Sequence, residues 1–579
     1  MKLLKNNKLQ LLIIILISII SKLYFSPNIY TETDDLIAIN QIKNYQNINI
    51  YDIANDKESE TYGSELKKKI RQIEDFDNSF YDGLINSIYF LLKRVAPSKH
   101  STFAPLQYFL FSDVYYLGDT YKEIKFFSRL PSIFFATLTI LITYLFAKTI
   151  LKNQNRFLPL IPVSFVAFSY PLMFISLRSY NYSAGVFAVT LFFYLIYINS
   201  INQKNVLTIS NYRINFRSSL LIGLILSLLA HLSYVILFLS PLFFLILFFQ
   251  NLFKNKILSN FNYNLIIIGL LFTIFMAPLL TYMLSLNLNE YGVTKSTGGE
   301  YYEYYFNLNS NSNTLINSFQ FYIQNSYLVI VKNLSFFIDK NIYSNFLQFL
   351  ILILFMLGFI FSYKIKDKNI NYFLNIFLIF IIYYFFLVLF GFVTLGPTRH
   401  LNSYTPLLAI VVCLGIYGLF QKLKFINTYL NLIVSSIVII FCLNLVPFYK
   451  NYKDAFNENL LTKEIKESKI GLIINDASLS DNICLMGKVY DLTSISTCPL
   501  KNNRYTHILK LNNTNLEYLK SNNLSLAFIN KKISNDELLL IQKYGFKLQK
   551  KIKNIKFIDN SPLYISKYVP NYFTMEIYK

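Results

Sequence analysis

The sequence predicts an all-α, polytopic membrane domain over residues 1–449, followed by a small α/β domain over residues 450–579. Three observations support this fold class. The chain of 579 residues is 54% hydrophobic and only 15% charged, whereas about a quarter of an ordinary soluble chain is charged. Its mean hydropathy is +0.39. The apolar residues also fall in long runs, and a run of about 18 or more is typical of a membrane-spanning helix.

The apolar runs indicate about eleven spans. The first follows the basic residues Lys2 and Lys5, and no small-residue cleavage site comes after it, so we expect an uncleaved helix with a cytoplasmic N-terminus. Pro131 predicts the start of the second helix, with Arg129 near the external headgroups. The predicted spans are 9–24, 129–150, 157–176, 182–200, 218–231, 235–253, 263–285, 345–363, 371–394, 403–420 and 427–447. One long tilted helix over 218–253 is the alternative to two spans there. The predicted spans are nearly free of ionisable residues.

Basic residues in the linkers predict the orientation of the chain. They cluster at 148–156, 204–217, 254–256, 364–368 and 422–424, which all lie on the cytoplasmic side if the first helix runs outward. The formal net charge of +22 therefore indicates orientation and a surface suited to anionic lipids, and no nucleic-acid partner is expected. We expect a multi-pass protein of a bacterial inner membrane, with a periplasmic C-terminal domain.

Two long external loops are predicted, at 26–127 and 286–344. Within the first, 105–118 is apolar but too short to span a bilayer, so an interfacial or re-entrant helix is expected. Short apolar runs at 470–474 and 524–529 predict buried strands of the C-terminal α/β domain.

The four cysteines are too few for a disulfide scaffold. Cys413 and Cys442 lie in apolar runs and are predicted to be small core residues. Cys484 and Cys498 share the polar C-terminal domain, where an oxidising compartment would permit a bridge between them.

Asp34 and Asp35 form an adjacent acidic pair within about ten residues of the first helix. Two carboxylates at a membrane face repel each other and lose hydration, which favours a metal, a cationic substrate or a base with a raised pKa. The alternative is a solvated loop start or a helix N-cap, where Asp is also favoured.

Other charged residues lie at predicted external helix ends. Arg178 and Tyr180 follow the third span, and an interfacial Arg is a candidate site residue, with a snorkelling side chain as the alternative. Arg399 and His400 follow Gly-Pro in a late external turn, where Arg suits phosphate, although a plain charged turn would look the same. His231 ends another span and is a candidate substrate-binding residue, with a structural role as the ordinary alternative.

Several function classes are disfavoured. The chain has no Walker-type loop, Rossmann fingerprint, nucleophile elbow or zinc-spaced Cys/His cluster. An ATP-driven pump and a Rossmann-type nucleotide-sugar enzyme are therefore not expected. The pattern specifies no metal, and the need for a divalent ion stays open.

The order of these features resembles the polytopic glycosyltransferases with a GT-C fold, particularly protein mannosyltransferases and aminoarabinose–lipid A transferases. The resemblance lies in Asp34-Asp35, in Pro105 to Tyr108, in Phe127 to Ser132, in Arg178 to Tyr180 and in Arg399. It covers roughly residues 9–260, and the rest only by topology.

The resemblance implies transfer of a sugar, with inversion, from a polyprenyl-phosphate carrier to a lipid, glycan or protein acceptor on the external face. It implies that Asp34, with Asp35 as its neighbour, acts as the base or orients the acceptor, and that Arg399 holds the lipid phosphate. It places Arg178 and Tyr180 along the cavity, and it requires no cofactor. The family has Lys-Pro or His-Pro before the short helix, whereas this chain has Ala104-Pro105 with Lys99 and His100 just upstream.

Two alternatives remain open. An O-antigen ligase or polymerase also presents external Arg and His residues to a lipid-linked glycan, although an acidic pair directly after the first helix is not typical of that class. A non-enzymatic transporter or flippase would have mid-span charges and paired repeats, neither of which the sequence suggests.

Overall fold

The structure, a computed structural model, describes most of the helical region and part of the C-terminal domain. The described residues are 7–28, 35, 38–39, 88, 105–118, 121–152, 154–206, 216–255, 268–279, 322–323, 326–327, 329–331, 334, 342–365, 367–389, 399–422, 424–443, 445–453, 460, 463–464, 467–475, 511–529, 533–558 and 570–579. The statements below concern these residues.

The described chain is mostly helical. Its helices before the sheet are α1 Asn7–Phe25, α2 Pro105–Phe111, α3 Tyr121–Ile150, α4 Leu160–Phe168, α5 Tyr170–Ser176, α6 Tyr182–Val206, α7 Phe216–Leu232, α8 Val235–Asn255, α9 Ile268–Leu279, α10 Ile342–Ile365, α11 Lys368–Leu389, α12 Thr405–Lys422, α13 Lys424–Leu443 and α14 Leu445–Lys453. Two 3-10 helices, Asp113–Tyr116 and Arg399–Tyr404, connect them.

Four described stretches of helix are long and apolar enough to cross a bilayer. They are Asn7–Phe25, Lys122–Ile150, Lys368–Leu387 and Leu401–Gln421. The other predicted spans contain apolar helices that are shorter over the described residues. The predicted combination of a helical membrane-type region and a small sheet is therefore confirmed, while the number of eleven spans stays a prediction.

The predicted start of the second span at Pro131 is wrong. Helix α3 begins at Tyr121, so Pro131 lies inside it. A proline inside a helix removes one main-chain hydrogen bond, and its ring crowds the carbonyl four residues earlier, so the helix needs support at this position. The preceding turn is held from outside, because Ser128 and Arg129 hydrogen-bond to Ser179 and to the Ser26 carbonyl.

Another predicted span is interrupted. The run 157–176 divides into α4 and α5 at Ser169, whose extended backbone is followed by Pro171 in the first turn of α5. A proline there cannot continue the hydrogen bonds of α4. The run 427–447 contains α13 and most of it is helical, with residue 444 outside the described residues. By contrast, 218–253 forms the two separate helices α7 and α8, which rules out one long helix.

One end of the helical region joins linkers between helices, and we call it the linker end. The Asn7 side chain at the start of α1 donates to the Arg156 carbonyl at 3.1 Å. Gln154 donates to Asp367 at 3.1 Å and accepts from the hydroxyl of Tyr417. The start of α1 and the linkers before α4 and α11 therefore meet at this end.

We call the opposite end the charged end. The described segments that follow α1, α5, α7 and α11 lie there. Arg129 on α3 donates to the carbonyl of Ser26, just after α1. A Cβ atom at Gly185 on α6 would lie 3.3 Å from the Ser233 hydroxyl and 3.5 Å from the Ser403 hydroxyl. The α7–α8 junction and the 3-10 helix Arg399–Tyr404 therefore pack against the beginning of α6.

The described strands all lie in the C-terminal region. They are β1 Ile470–Asn475, β2 Ser525–Ile529, β3 Leu548–Ile558 and β4 Pro570–Tyr578, arranged in the order β1-β2-β4-β3. β1 and β2 are parallel, and the other pairs are antiparallel. Helices α15 Asn513–Ser521 and α16 Asn535–Lys543 contribute apolar residues to the cluster that covers Leu526 and Phe528. This arrangement agrees with the α/β class predicted for the region.

Candidate functional site

Asp35 is the centre of a buried polar cluster at the charged end. Its side chain is completely buried, and both of its oxygen atoms are engaged. Oδ1 accepts the backbone N–H of Ser179 at 2.6 Å. Oδ2 lies 3.2 Å from Nη1 of Arg178 and 3.5 Å from Nη2 of Arg129. Such a carboxylate is suited to hold two cations in place.

The two arginines are buried as deeply as the carboxylate that joins them. Arg129 is fully buried and Arg178 is 1% exposed. The guanidinium of Arg178 also lies over the ring of Phe174, 3.9 Å from its centroid, which adds a cation–π contact. A buried charge is costly unless it is paired and hydrogen-bonded, so these contacts explain how the helices tolerate the arginines.

Ser179 links three segments around Asp35. Besides its N–H bond to the carboxylate, its hydroxyl lies 2.8 Å from the Ser128 hydroxyl on α3. Its carbonyl accepts the hydroxyl of Tyr115 at 2.8 Å. The residue therefore fixes the distance between α3, the turn after α5 and the segment that precedes α3.

That preceding segment, residues 105–118, comprises α2 and the 3-10 helix Asp113–Tyr116, and we call it the strap. It is too short to span a bilayer, as predicted. Gln107 and Tyr115 are buried, and the Gln107 amide donates to the Tyr115 hydroxyl at 3.1 Å. Burial raises the pKa of the Tyr115 phenol, and the charge of Asp35 raises it further, against a lowering effect of Gln107. Tyr115 therefore stays protonated and donates to Ser179.

Three cations inside the helices contradict the prediction that the spans are nearly free of ionisable residues. Lys22 on α1 is 1% exposed and donates to the Ser18 hydroxyl at 2.8 Å. Lys125 on α3 is 4% exposed, and Arg129 follows it by one helical turn. Lys125 lies outside the predicted span because α3 begins earlier than its apolar run does, whereas Lys22 and Arg129 lie near the ends of the predicted spans 9–24 and 129–150.

The structure brings together some of the predicted site residues. Asp35 and Arg178 form the ion pair described above, and Tyr180 is buried beside them, with its carbonyl accepting the Ser132 hydroxyl at 3.1 Å. Asp34, the predicted base, lies outside the described residues, as do Lys99 and His100.

The remaining predicted residues lie on helix ends. Arg399 and His400 begin the 3-10 helix Arg399–Tyr404, whose backbone packs against α5 and α6 at the charged end, and only their backbone is described. His231 lies in the last turn of α7, and its Nδ1 is 2.7 Å from the carbonyl of Ser227 in the same helix. This bond agrees with the structural interpretation of His231.

Two buried polar residues were not singled out from the sequence. Asn402 and Thr405 are completely buried. Among the residues that the structure describes, neither amide atom of Asn402 nor the Thr405 hydroxyl has a hydrogen-bond partner. An unsatisfied buried polar group costs about 1–3 kcal/mol, so such a pair suggests a polar ligand. Asn402 and Thr405 lie in a polar stretch after Arg399 and His400, and nothing in the sequence distinguishes them from other polar residues of that stretch.

The charged end contains a fixed carboxylate with two guanidinium groups, and also the buried amide of Asn402 and hydroxyl of Thr405. Arginine forms charge-assisted and often bidentate hydrogen bonds with phosphate. No group of three or more His, Cys, Asp or Glu side chains within the described ranges could hold a metal ion. The chemistry of the charged end therefore favours an anionic, hydroxyl-rich ligand.

No protein-family profile matches the chain, and no curated protein is similar enough in sequence to be matched with it.

Proposed function

We propose that this protein is a membrane glycosyltransferase that moves a sugar from a polyprenyl-phosphate carrier to a lipid, glycan or protein acceptor. The reaction would take place at the charged end, on the external face of a bacterial inner membrane. The N-terminus and the linker end would then be cytoplasmic. The observation that carries the proposal is the buried ion pair of Asp35 with Arg129 and Arg178 at the end where the acidic pair follows α1.

The electrostatics suit a lipid-phosphate leaving group. Negative charge grows on the phosphate oxygen as the glycosidic bond breaks, and fixed guanidinium groups stabilise such charge most when water is excluded. Asp35 holds Arg178 and Arg129 in fixed positions. Arg399 would add a further cation from the neighbouring 3-10 helix.

The proposed base is Asp34, next in sequence to the anchored Asp35. A base near an acceptor hydroxyl or amine takes up its proton as the new bond to the anomeric carbon forms. The two carboxylates are given different roles. Asp35 is engaged by three donors and orders the site, so Asp34 is assigned to the acceptor. Asn402 and Thr405 are suited to hydrogen-bond sugar hydroxyls.

The experiment is a transfer assay with the purified protein in lipid nanodiscs. Lipid-linked sugars extracted from bacterial membranes serve as donors, and mass spectrometry follows the loss of donor and the mass gained by candidate acceptors. Asp34→Asn should reduce transfer by roughly 10²–10⁴-fold, and Arg399→Ala should weaken donor use. Asp536→Asn, in the C-terminal domain, is the matched control. Near-normal transfer by Asp34→Asn would remove that residue from the mechanism.

The buried cations favour one alternative, a transporter or flippase for an anionic lipid. Ionisable residues inside membrane helices often line a transport pathway, and Lys22, Lys125 and Arg129 are such residues. Movement of a lipid-linked sugar between leaflets of proteoliposomes, without any transfer to an acceptor, would favour this class over the enzyme.

A further inference from the structure

We propose that the strap, residues 105–118, inserts its apolar face into the lipid interface and uses Tyr115 to position Ser179 against Asp35. The membrane would then complete the geometry of the site. The inference rests on the proposed function only where its consequence is measured as sugar transfer.

The outer face of the strap is apolar and exposed. Phe109, Leu110 and Leu117 are 47%, 58% and 53% exposed. Large exposed apolar side chains concentrated in one short segment are typical of contact with a membrane interface. This face needs an occupant, because exposure of large apolar side chains to water is unfavourable.

The outer face of the strap continues onto the side of α3 that would face lipid, which indicates that lipid covers both. The ring of Phe111 lies 5.6 Å from that of Phe134. Phe134 is 48% exposed, and Leu141 and Leu145, further along the same face of α3, are 37% and 42% exposed. Because α3 contains a candidate span, the strap extends a lipid-facing surface to the charged end.

The inner face of the strap reaches the site through one chain of hydrogen bonds. Gln107 donates to Tyr115, and Tyr115 donates to the carbonyl of Ser179. The N–H of Ser179 in turn donates to Asp35 at 2.6 Å. In this series of hydrogen bonds Tyr115 bonds to Ser179, and Ser179 bonds to Asp35. Tyr115 therefore acts through Ser179 and is a positioning residue.

Gly118 couples the strap to α3. A Cβ atom at this position would lie 2.8 Å from the Glu123 Cβ and 2.8 Å from the Ile124 nitrogen, closer than real Cβ atoms come. The chain therefore turns directly onto the first turns of α3, the helix that carries Arg129. A displacement of the strap would therefore move Ser179, which bonds to Asp35, and also α3, which carries Arg129.

Insertion can be tested with a single fluorophore, because the natural chain contains no Trp. Leu110→Trp places one in the strap, and Leu539→Trp is the matched control, since Leu539 is 64% exposed on α16 of the C-terminal domain. In nanodiscs with brominated lipids, the strap reporter should be quenched most by bromines near the headgroups, and the control reporter should not. Equal quenching of the two reporters, or none of either, would overturn the inference.

Positioning is tested separately with Tyr115→Phe, which keeps the ring and removes the hydroxyl. Hydrogen–deuterium exchange at the Ser179 amide should become faster, while Tyr518→Phe, at an exposed tyrosine, should change nothing. Unchanged exchange would overturn the positioning role. If transfer is found, its kcat should fall roughly 10- to 100-fold with KM for the donor unchanged. Quenching and exchange need no sugar transfer, so absence of transfer alone would count only against the proposed function.

Discussion

The two ends of the helical region treat positive charge in opposite ways. At the linker end, Lys148, Lys152, Arg156 and Lys364 are exposed at helix ends. At the charged end, Arg129 and Arg178 are buried and paired with Asp35, and Lys125 is buried on the helix that carries Arg129. The first group has the distribution expected of residues that set orientation. The second requires a compensating partner for each charge, and such an arrangement is expected where charge serves a function.

The comparison teaches that burial is more informative about function here than the number of basic residues. The linker end holds many of them, but solvated charges contribute little to stability or chemistry. At the charged end, Arg129 and Arg178 are fixed by contacts with Asp35, with the Ser26 carbonyl and with the ring of Phe174. The following predictions use matched substitutions at the two ends.

The largest difference is expected between two carboxylates. Asp35→Asn removes the carboxylate that pairs with two buried guanidinium groups, and loss of one partner of a buried pair costs about 3–5 kcal/mol. At the linker end, Asp367 caps α11 through the backbone N–H of Asn369 at 2.8 Å, and Asp367→Asn should cost about 1 kcal/mol or less. Thermal unfolding followed by circular dichroism in nanodiscs should rank the two variants in this order. Equal midpoints would mean that the Asp35 pair is not buried in the working protein.

An intermediate difference is expected between two arginines. Arg129→Met removes a hydrogen bond to the Ser26 carbonyl and one ion pair, but Asp35 keeps Arg178 and the Ser179 N–H. Loss of hydrogen bonds to a charged group suggests about 1.5–3 kcal/mol. Arg156→Met, at an exposed position of the linker end, should change stability by about 0.5 kcal/mol or less. The same unfolding measurement checks both variants. A larger loss of stability for Arg156→Met than for Arg129→Met would contradict the account of buried charge at the charged end and solvated charge at the linker end.

The smallest effect on stability is expected at Asn402, where its sign is informative. Asn402→Leu replaces an amide that has no hydrogen-bond partner among the described residues, so the unfolding midpoint should stay the same or rise. Sugar transfer should nevertheless fall, because the amide is assigned to the ligand. A lower midpoint would show that Asn402 supports the fold. Unchanged transfer would exclude it from the site.

Parts of this arrangement were predictable from local pattern. Apolar runs locate the helices, and charged residues that follow the ends of these runs singled out Asp35 and Arg178. The role of Arg129 was missed because Pro131 was taken as a helix start. The spacing of Lys125, Ser128, Arg129 and Ser132 at three and four residues places them on one face of a helix, which is the signal that would have revealed α3. The pairing of Asp35 with two distant arginines depends on packing between helices, and no local rule specifies it.

The central claim, that the charged end binds a polyprenyl phosphate, is tested most directly by photo-cross-linking. A polyprenyl phosphate with a diazirine near its headgroup is added to the protein in nanodiscs, irradiated, and located by peptide mass spectrometry. The account predicts labelled peptides from 105–132, 178–185 and 399–405, with labelling reduced by unmodified polyprenyl phosphate. Labelling that maps to 148–156 and 364–368, or that the competitor does not reduce, would contradict it.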